Sequence, residues 1–385
     1  MYDFDTEINR FGTASLKWDI KENELPMWVA DMDFLVATPI TAAIKKRVEH
    51  GIFGYSVLPD EWYDSIIGWW KRRHGLEIQR EWLQFTTGKV PAISCLVKRI
   101  TNIGDNVAVM SPVYNIFYNS IENAGRHVLE YKIPYDGSKY SIDFDDLEKV
   151  LSHPLTTLLI LCNPHNPIGK IWGKDELAKI GELCHKHGVV VISDEIHCDL
   201  VEPGKKYTPF ATVSDVCKNN SITCVSASKA FNIAGLQSAA VIVPNPVLRN
   251  NVVRGLNSDE VAEPNCFAVA ATVAAFNEGE PWLNELNAYI AKNRRTVKEY
   301  LARLPEVHLV ESDCTYLLWI DCSKIAKSSA DLCNHIRKET GLFLSNGAGF
   351  RGNGDMFVRM NIACPRSRLL DGLSRFEKGI KSYKE

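Results

Sequence analysis

Between residues 83 and 243 the chain carries six short strand-like runs, most of which lack polar alternation. They are Leu83–Thr86, Val107–Met110, Leu158–Cys162, Val189–Ser193, Ile222–Val225 and Ala239–Val243, with Val128–Tyr131 a weaker seventh. A strand with one wet face alternates apolar and polar residues, whereas a strand covered on both faces does not. Between several runs lie helical patterns. Asp175–His187 sets Leu177, Ile180, Leu183 and Cys184 on one face and ends before Gly188, a residue suited to the left-handed position that closes a helix. Strands and helices in alternation predict an α/β fold with a mostly parallel central sheet.

The flanks read differently. A loop-rich start leads into a helix over Pro39–Glu49. After about residue 285 a long helical pattern runs to Leu304, followed by short strands near Val307–Glu311 and Tyr316–Ile320. A helix over Ser329–Thr340, strand-like stretches around Phe343 and Phe357–Ile362, and a terminal helix complete the chain. The expected organisation is a large domain over 46–285 and a smaller α+β domain built from 1–45 and 286–385. Gly347, Gly349 and Gly352 match G-x-G-x-x-G, but the dinucleotide fingerprint needs a strand before it and a helix after it. Here the strand-like Phe357–Asn361 follows, so a glycine-rich loop between strands is expected.

Composition removes several function classes. Lys and Arg total 44 against 47 Asp and Glu, a net charge of −3, which argues against a broad nucleic-acid footprint or polybasic membrane adsorption. Apolar runs such as Thr157–Cys162 are strand-sized, well short of the ~20 residues that span a bilayer. The opening MYDFDTEINR has acidic residues and no apolar core, so no secretory signal is expected. Eleven cysteines, an odd count with no C-x-x-C spacing, fit small buried hydrophobes in a reducing cytoplasm, not a metal site or a disulfide framework.

The informative residues follow the strands. Leu83–Thr86 runs into Thr87-Gly88-Lys89-Val90, Val107–Met110 into Ser111-Pro112-Val113-Tyr114, and Leu158–Cys162 into Asn163-Pro164-His165-Asn166. Val189–Ser193 runs into Asp194-Glu195-Ile196-His197, and Ile222–Val225 into Ser226-Ala227-Ser228-Lys229. Each has an ordinary reading: a tight turn at Gly88, core packing for Tyr114, a turn former in Asn166, a helix cap in Asp194, a surface lysine. In open parallel sheets, however, ligands bind beyond the carboxyl ends of the strands, and all five segments share that edge. Backbone N–H groups of Lys89 and Val90, at a helix start after Gly88, suit a phosphate. Tyr114 suits stacking on a flat ring, Asn166 a phenolic oxygen, Asp194 a protonated ring nitrogen and Lys229 an aldehyde. One ligand has all these groups: pyridoxal 5′-phosphate.

Asn163-Pro164-His165-Asn166-Pro167-Ile168-Gly169, the 35-residue interval from Asp194 to Lys229, and Ser226-Ala227-Ser228-Lys229-Ala230-Phe231-Asn232 resemble the aspartate aminotransferase superfamily, fold type I of the pyridoxal-phosphate enzymes. Pro26-Met27-Trp28-Val29-Ala30-Asp31-Met32-Asp33-Phe34, Phe231–Gln237 and Arg359-Met360-Asn361-Ile362-Ala363-Cys364-Pro365-Arg366 are similar to one branch, the cystathionine β-lyase type of C–S lyase. The resemblance covers nearly the whole chain. It implies that Arg359 grips the substrate α-carboxylate and that Ala30 places backbone beside it. Ser226 matches a hydroxyl donor to the phosphate, with Ser228 in the same segment. Tyr55 resembles a tyrosine that reaches the cofactor phosphate of a neighbouring subunit, implying a homodimer with shared sites.

Two positions depart from the general pattern. An arginine phosphate ligand eight residues after the lysine is replaced by Gln237, which removes a charge and leaves the phosphate to neutral donors. The tyrosine three residues after the aspartate is His197, whose role is contact with the ring oxygen or packing. The resemblance implies α,β-elimination from a sulfur amino acid, with Lys229 as base and Tyr114 assisting, to give thiol, pyruvate and ammonia. The same inventory serves an aminotransferase, and the branch motifs favour elimination. A regulatory binding protein is the alternative of another class, but no basic recognition helix or long exposed apolar stripe supports it.

Overall fold

The computed structural model describes residues 2–383. Strands β1 (Leu83–Thr86), β2 (Asn106–Ser111), β3 (His127–Lys132), β4 (Thr156–Cys162), β5 (Val190–Asp194), β6 (Ser221–Val225) and β7 (Ala239–Ile242) form one sheet in the order β1-β7-β6-β5-β4-β2-β3. Only β7 runs against its neighbours; the other six strands point one way. The absence of polar alternation has the expected cause. Val107, Val109, Leu158 and Ile160 point into one buried layer with helices Lys89–Ile100 and Pro246–Ser258, while Ala108, Met110, Leu159 and Leu161 point into another with helices Phe144–Leu151 and Lys174–Lys186. The weaker seventh run is the edge strand β3, whose middle residues are only half-buried.

Local chemistry sets the boundaries. Helix Lys174–Lys186 ends at Gly188, φ +70°, where the Gly188 N–H reaches His185 O and the Val189 N–H reaches Cys184 O. That double bond closes the helix and takes Val189 out of the strand expected to begin there. The helix expected after residue 285 starts earlier, as Glu280–Leu301, because Pro281 in its first turn costs no hydrogen bond there.

A second, antiparallel sheet has the order Ser345–Asn346, Phe357–Asn361, Leu317–Asp321, His308–Leu309. Helices Ser329–Thr340 and Arg366–Ser382 pack together beside it. Leu25–Pro26 pairs in parallel with Leu342–Phe343, tying the N-terminal segment to this C-terminal region. The glycine-rich stretch is indeed a loop between strands. Its Gly352, φ +59°, lies so close to the Ser111–Pro112 backbone that a Cβ would fall 2.9 Å from Pro112 N, and Phe350 O accepts from Val113 N at 3.0 Å. The small sheet is thereby pinned to the loop that carries Tyr114. No helix among the described residues is long and apolar enough to cross a membrane.

Candidate active site

The carboxyl ends of the parallel strands bring the expected side chains together. Asp194 ends β5 in register with Cys162 of β4 and Cys224 of β6, which buries its carboxylate. Lys89 opens the helix after Gly88, whose φ of +140° and ψ of +160° suit only glycine. Its Nζ donates to Asp194 Oδ2 at 2.9 Å and lies 4.2 Å from the centre of the Tyr114 ring. A cation thus sits between an aromatic face and a buried carboxylate, and that is the environment a protonated aromatic nitrogen requires. The residues therefore fit the ring of pyridoxal phosphate.

Lys229 lies in the turn after β6 and its Nζ donates to Ala30 O at 2.8 Å. Burial pushes its pKa down to about 8, helped by the charges of Lys89 and Arg359 and opposed by Asp31 and Asp194. Such an amine gives up its proton far more readily than a surface lysine, as attack on an aldehyde requires. His197 is buried, and desolvation with three facing cations (Lys229, Lys89 and Arg359) holds its pKa well below the usual value. It is neutral, and its Nδ1 has no hydrogen-bond partner.

Arg359 projects from the small sheet. Its Nη1 donates to Asn166 Oδ1 at 3.2 Å, its Nη2 to Trp28 O at 2.9 Å and Ser345 Oγ at 3.3 Å, and the Phe350 ring lies 4.8 Å from its guanidinium carbon. Burial lowers its pKa to about 10. Its Nε is buried without a partner, leaving donor capacity for a carboxylate. Ser226 Oγ donates to Ser238 O at 2.6 Å and accepts from Ser228 N at 3.0 Å, so its proton is engaged by backbone. Val90 follows Lys89 in the first helical turn. Tyr55 stands apart, with its side chain exposed on the irregular segment 51–59. Gln237 is also exposed, in a left-handed conformation at φ +52°.

Sequence reasoning missed the residues that fasten Trp28–Phe34 over this pocket. Asn361 Nδ2 donates to Val29 O and Asp31 O at 2.6 and 2.7 Å, Asn232 pairs with the backbone of Met32 and Phe34, and Tyr316 OH donates to Ala30 O at 3.2 Å. Asp33 is buried against Lys17, Arg10 and Trp18. Asn232 and Asn361 stood inside quoted motifs, a usable signal, whereas nothing marked Tyr316. A different cluster, His74, Cys198 and Asp199, has ligand-type atoms near one another. Asp199 is already engaged by Trp69 Nε1, His74 Nε2 and the nearby Arg73.

The family model for aminotransferase class I and II matches residues 29–376. Cystathionine beta-lyase PatB of Bacillus subtilis (strain 168) is 43% identical to this chain over 385 residues, covering 98% of this chain and 99% of its own. Cystalysin from Treponema denticola, solved with a pyridoxal 5′-phosphate cofactor, superimposes with a TM-score of 0.96 at 32% identity and full coverage of both chains, 100% and 100%. A pyridoxal-phosphate-bound C–S lyase from Staphylococcus hominis gives a TM-score of 0.93 at 32% identity, covering 99% of this chain and 98% of that one. With agreement from end to end in both sequence and fold, the chain belongs to the class I and II aminotransferase family.

Proposed function

We infer that the protein is a pyridoxal 5′-phosphate-dependent carbon–sulfur lyase of the cystathionine β-lyase type, catalysing α,β-elimination from an L-cysteine S-conjugate. The observation that carries this reading is the convergence of Lys229, Asp194 and Arg359 on one pocket in a chain that is 43% identical to a cystathionine beta-lyase. When bound, the cofactor supplies an electron sink for the pair left at the substrate Cα.

The chain's own residues do the rest. With the cofactor bound, Asp194 would hold the ring nitrogen protonated, Tyr114 would cover a ring face, and Asn166 and neutral His197 would face the phenolic oxygen. The N–H groups of Lys89 and Val90 and the hydroxyl of Ser228 would hold the phosphate, while the Ser226 hydroxyl, bound to Ser238 O and Ser228 N, would shape the turn beside it. Arg359 would fix the substrate carboxylate against the Ala30 backbone, which would orient the Cα–H bond for removal. Lys229 takes the Cα proton. The Cβ–S bond then breaks, the electron pair leaves with sulfur, and Tyr114 is placed to protonate the thiolate. The three-carbon remainder hydrolyses to pyruvate and ammonia. A thiolate leaves far more readily than an amine or alkoxide, and this favours elimination over amino transfer.

The reading includes a homodimer: the resemblance gives Tyr55 to a neighbouring subunit's site, Tyr55 is exposed, and its neighbours Ile52, Phe53 and Val57 are exposed apolar residues suited to an interface. It also includes a cytoplasmic location and a division into 46–285, holding the cofactor, and 1–45 with 286–385, holding the substrate carboxylate. Incubation with L-cystathionine and a panel of S-substituted cysteines tests the reaction. Thiol, pyruvate and ammonia should appear in equal amounts; amino transfer to a keto acid without pyruvate would replace the lyase by an aminotransferase.

A further inference from the structure

Lys89 has more to do than lend a backbone N–H. Its ammonium is buried between Asp194 and the faces of Tyr114 and Phe117, with ring centres at 4.2 and 5.3 Å. That space is where the cofactor ring is argued to lie. A carboxylate flanked by two like charges in a dry pocket does not keep both. When a protonated ring nitrogen arrives at Asp194, the ammonium has to leave. Lysine is a compact charge on a flexible stem, so it can move while its backbone stays. Its backbone is the first residue of the helix after Gly88, where the positive end of the helix disfavours an unpaired cation and favours an anion. The phosphate is that anion. Gln237 brings no charge to it, Lys229 and Arg359 are committed to the chemistry, and His197 is neutral.

We propose that Lys89 is a partner-exchanging cation, a role resting on the cofactor reading above: it pairs with Asp194 in the cofactor-free protein and turns to the cofactor phosphate in the loaded one. The sequence expectation of a phosphate held by neutral donors alone is revised accordingly. Burial alone would lower the Lys89 pKa, but the carboxylate of Asp194 raises it, so the side chain arrives as a cation.

The test compares binding of pyridoxal 5′-phosphate and of pyridoxal, which lacks the phosphate, to cofactor-free wild type, Lys89→Met and Lys89→Arg by visible absorbance titration. Lys89→Met should lower the preference for the phosphorylated form by about tenfold or more, the effect of one charged hydrogen bond. Its affinity for pyridoxal should stay level or rise, because Asp194 no longer has to be vacated. Lys89→Arg should keep the preference. Cofactor-free Lys89→Met should melt below wild type, because Asp194 is left buried without a counter-charge, and the gap should narrow on adding pyridoxal 5′-phosphate. If Lys89→Met yields no folded cofactor-free protein, Lys89→Gln, which offers Asp194 an amide, carries the same comparison. An unchanged preference in the neutral variant overturns the role of Lys89 while leaving the cofactor reading intact. A wild type that binds neither compound overturns both.

Discussion

Lys229, Asp194 and Arg359 differ in how they become visible. The first two follow apolar strands, so their place at the sheet edge can be derived from pattern alone. Arg359 belongs to a separate sheet and reaches the pocket only through tertiary packing, so resemblance supplied its role. Its removal has a calculable effect. Two charged hydrogen bonds to a carboxylate contribute about 3–6 kcal/mol, so Arg359→Ala should lose roughly a hundredfold to ten-thousandfold in kcat/KM. The yellow cofactor should remain bound, as steady-state kinetics beside a visible spectrum would show; loss of the colour would place Arg359 in cofactor binding instead. Gln237 is exposed and uncharged, and Gln237→Ala should weaken cofactor retention by about 1 kcal/mol at most. Complete cofactor loss on dialysis of that variant would contradict this. Glu195, next to Asp194, is buried and accepts from Ser193 Oγ, Phe210 N and Tyr207 OH. Burial raises its pKa from 4.5 to about 7 despite those bonds. The folded protein therefore binds this proton more tightly than the unfolded chain, and the resulting stability is present below pH 4.5 and lost as pH rises through 7. Relative to Glu195→Gln, wild type should lose melting temperature across that window. A difference that does not vary with pH would refute the assignment.

At the scale of elements, most of the large-sheet strands were readable because helices cover both faces and bury their centres, which are apolar over Val107–Met110 of β2 and Leu158–Cys162 of β4. The ends were less readable, since they depend on single bonds such as the Val189 N–H to Cys184 O. The segment Trp28–Phe34 was the least readable, because several of its backbone partners lie 200 to 330 residues away, among them Asn232 and Asn361. Asp33 anchors it. Lys17 and Arg10 hold the Asp33 pKa low against burial, so the carboxylate stays ionised. Asp33→Ala would leave the buried Lys17 ammonium with only the more exposed Asp31 carboxylate, 3.8 Å away, with an expected loss of up to about 3–5 kcal/mol in stability. Because Ala30 O and Trp28 O touch Lys229 and Arg359, KM should rise as well. Urea unfolding with kinetics on the same variant checks both; a stable variant with normal KM would mean the segment is held without Asp33.

For the whole molecule, the proposed function assigns the exposed Tyr55 to the site of a neighbouring subunit and so requires a composite dimer. Tyr55→Phe and Lys229→Ala homodimers, each impaired, should regain one working site per hybrid when their subunits exchange, because one protomer keeps its lysine and receives an intact tyrosine. Proven exchange with no recovered activity would rule out sharing. The central claim concerns the fate of one substrate in one pocket. The direct measurement supplies wild type with L-cystathionine and a keto acid together and follows pyruvate release and amino transfer in the same sample. Pyruvate should form with an equal amount of thiol and far outrun transfer, and both should vanish in Lys229→Ala. Rapid amino transfer with no thiol released would contradict the account.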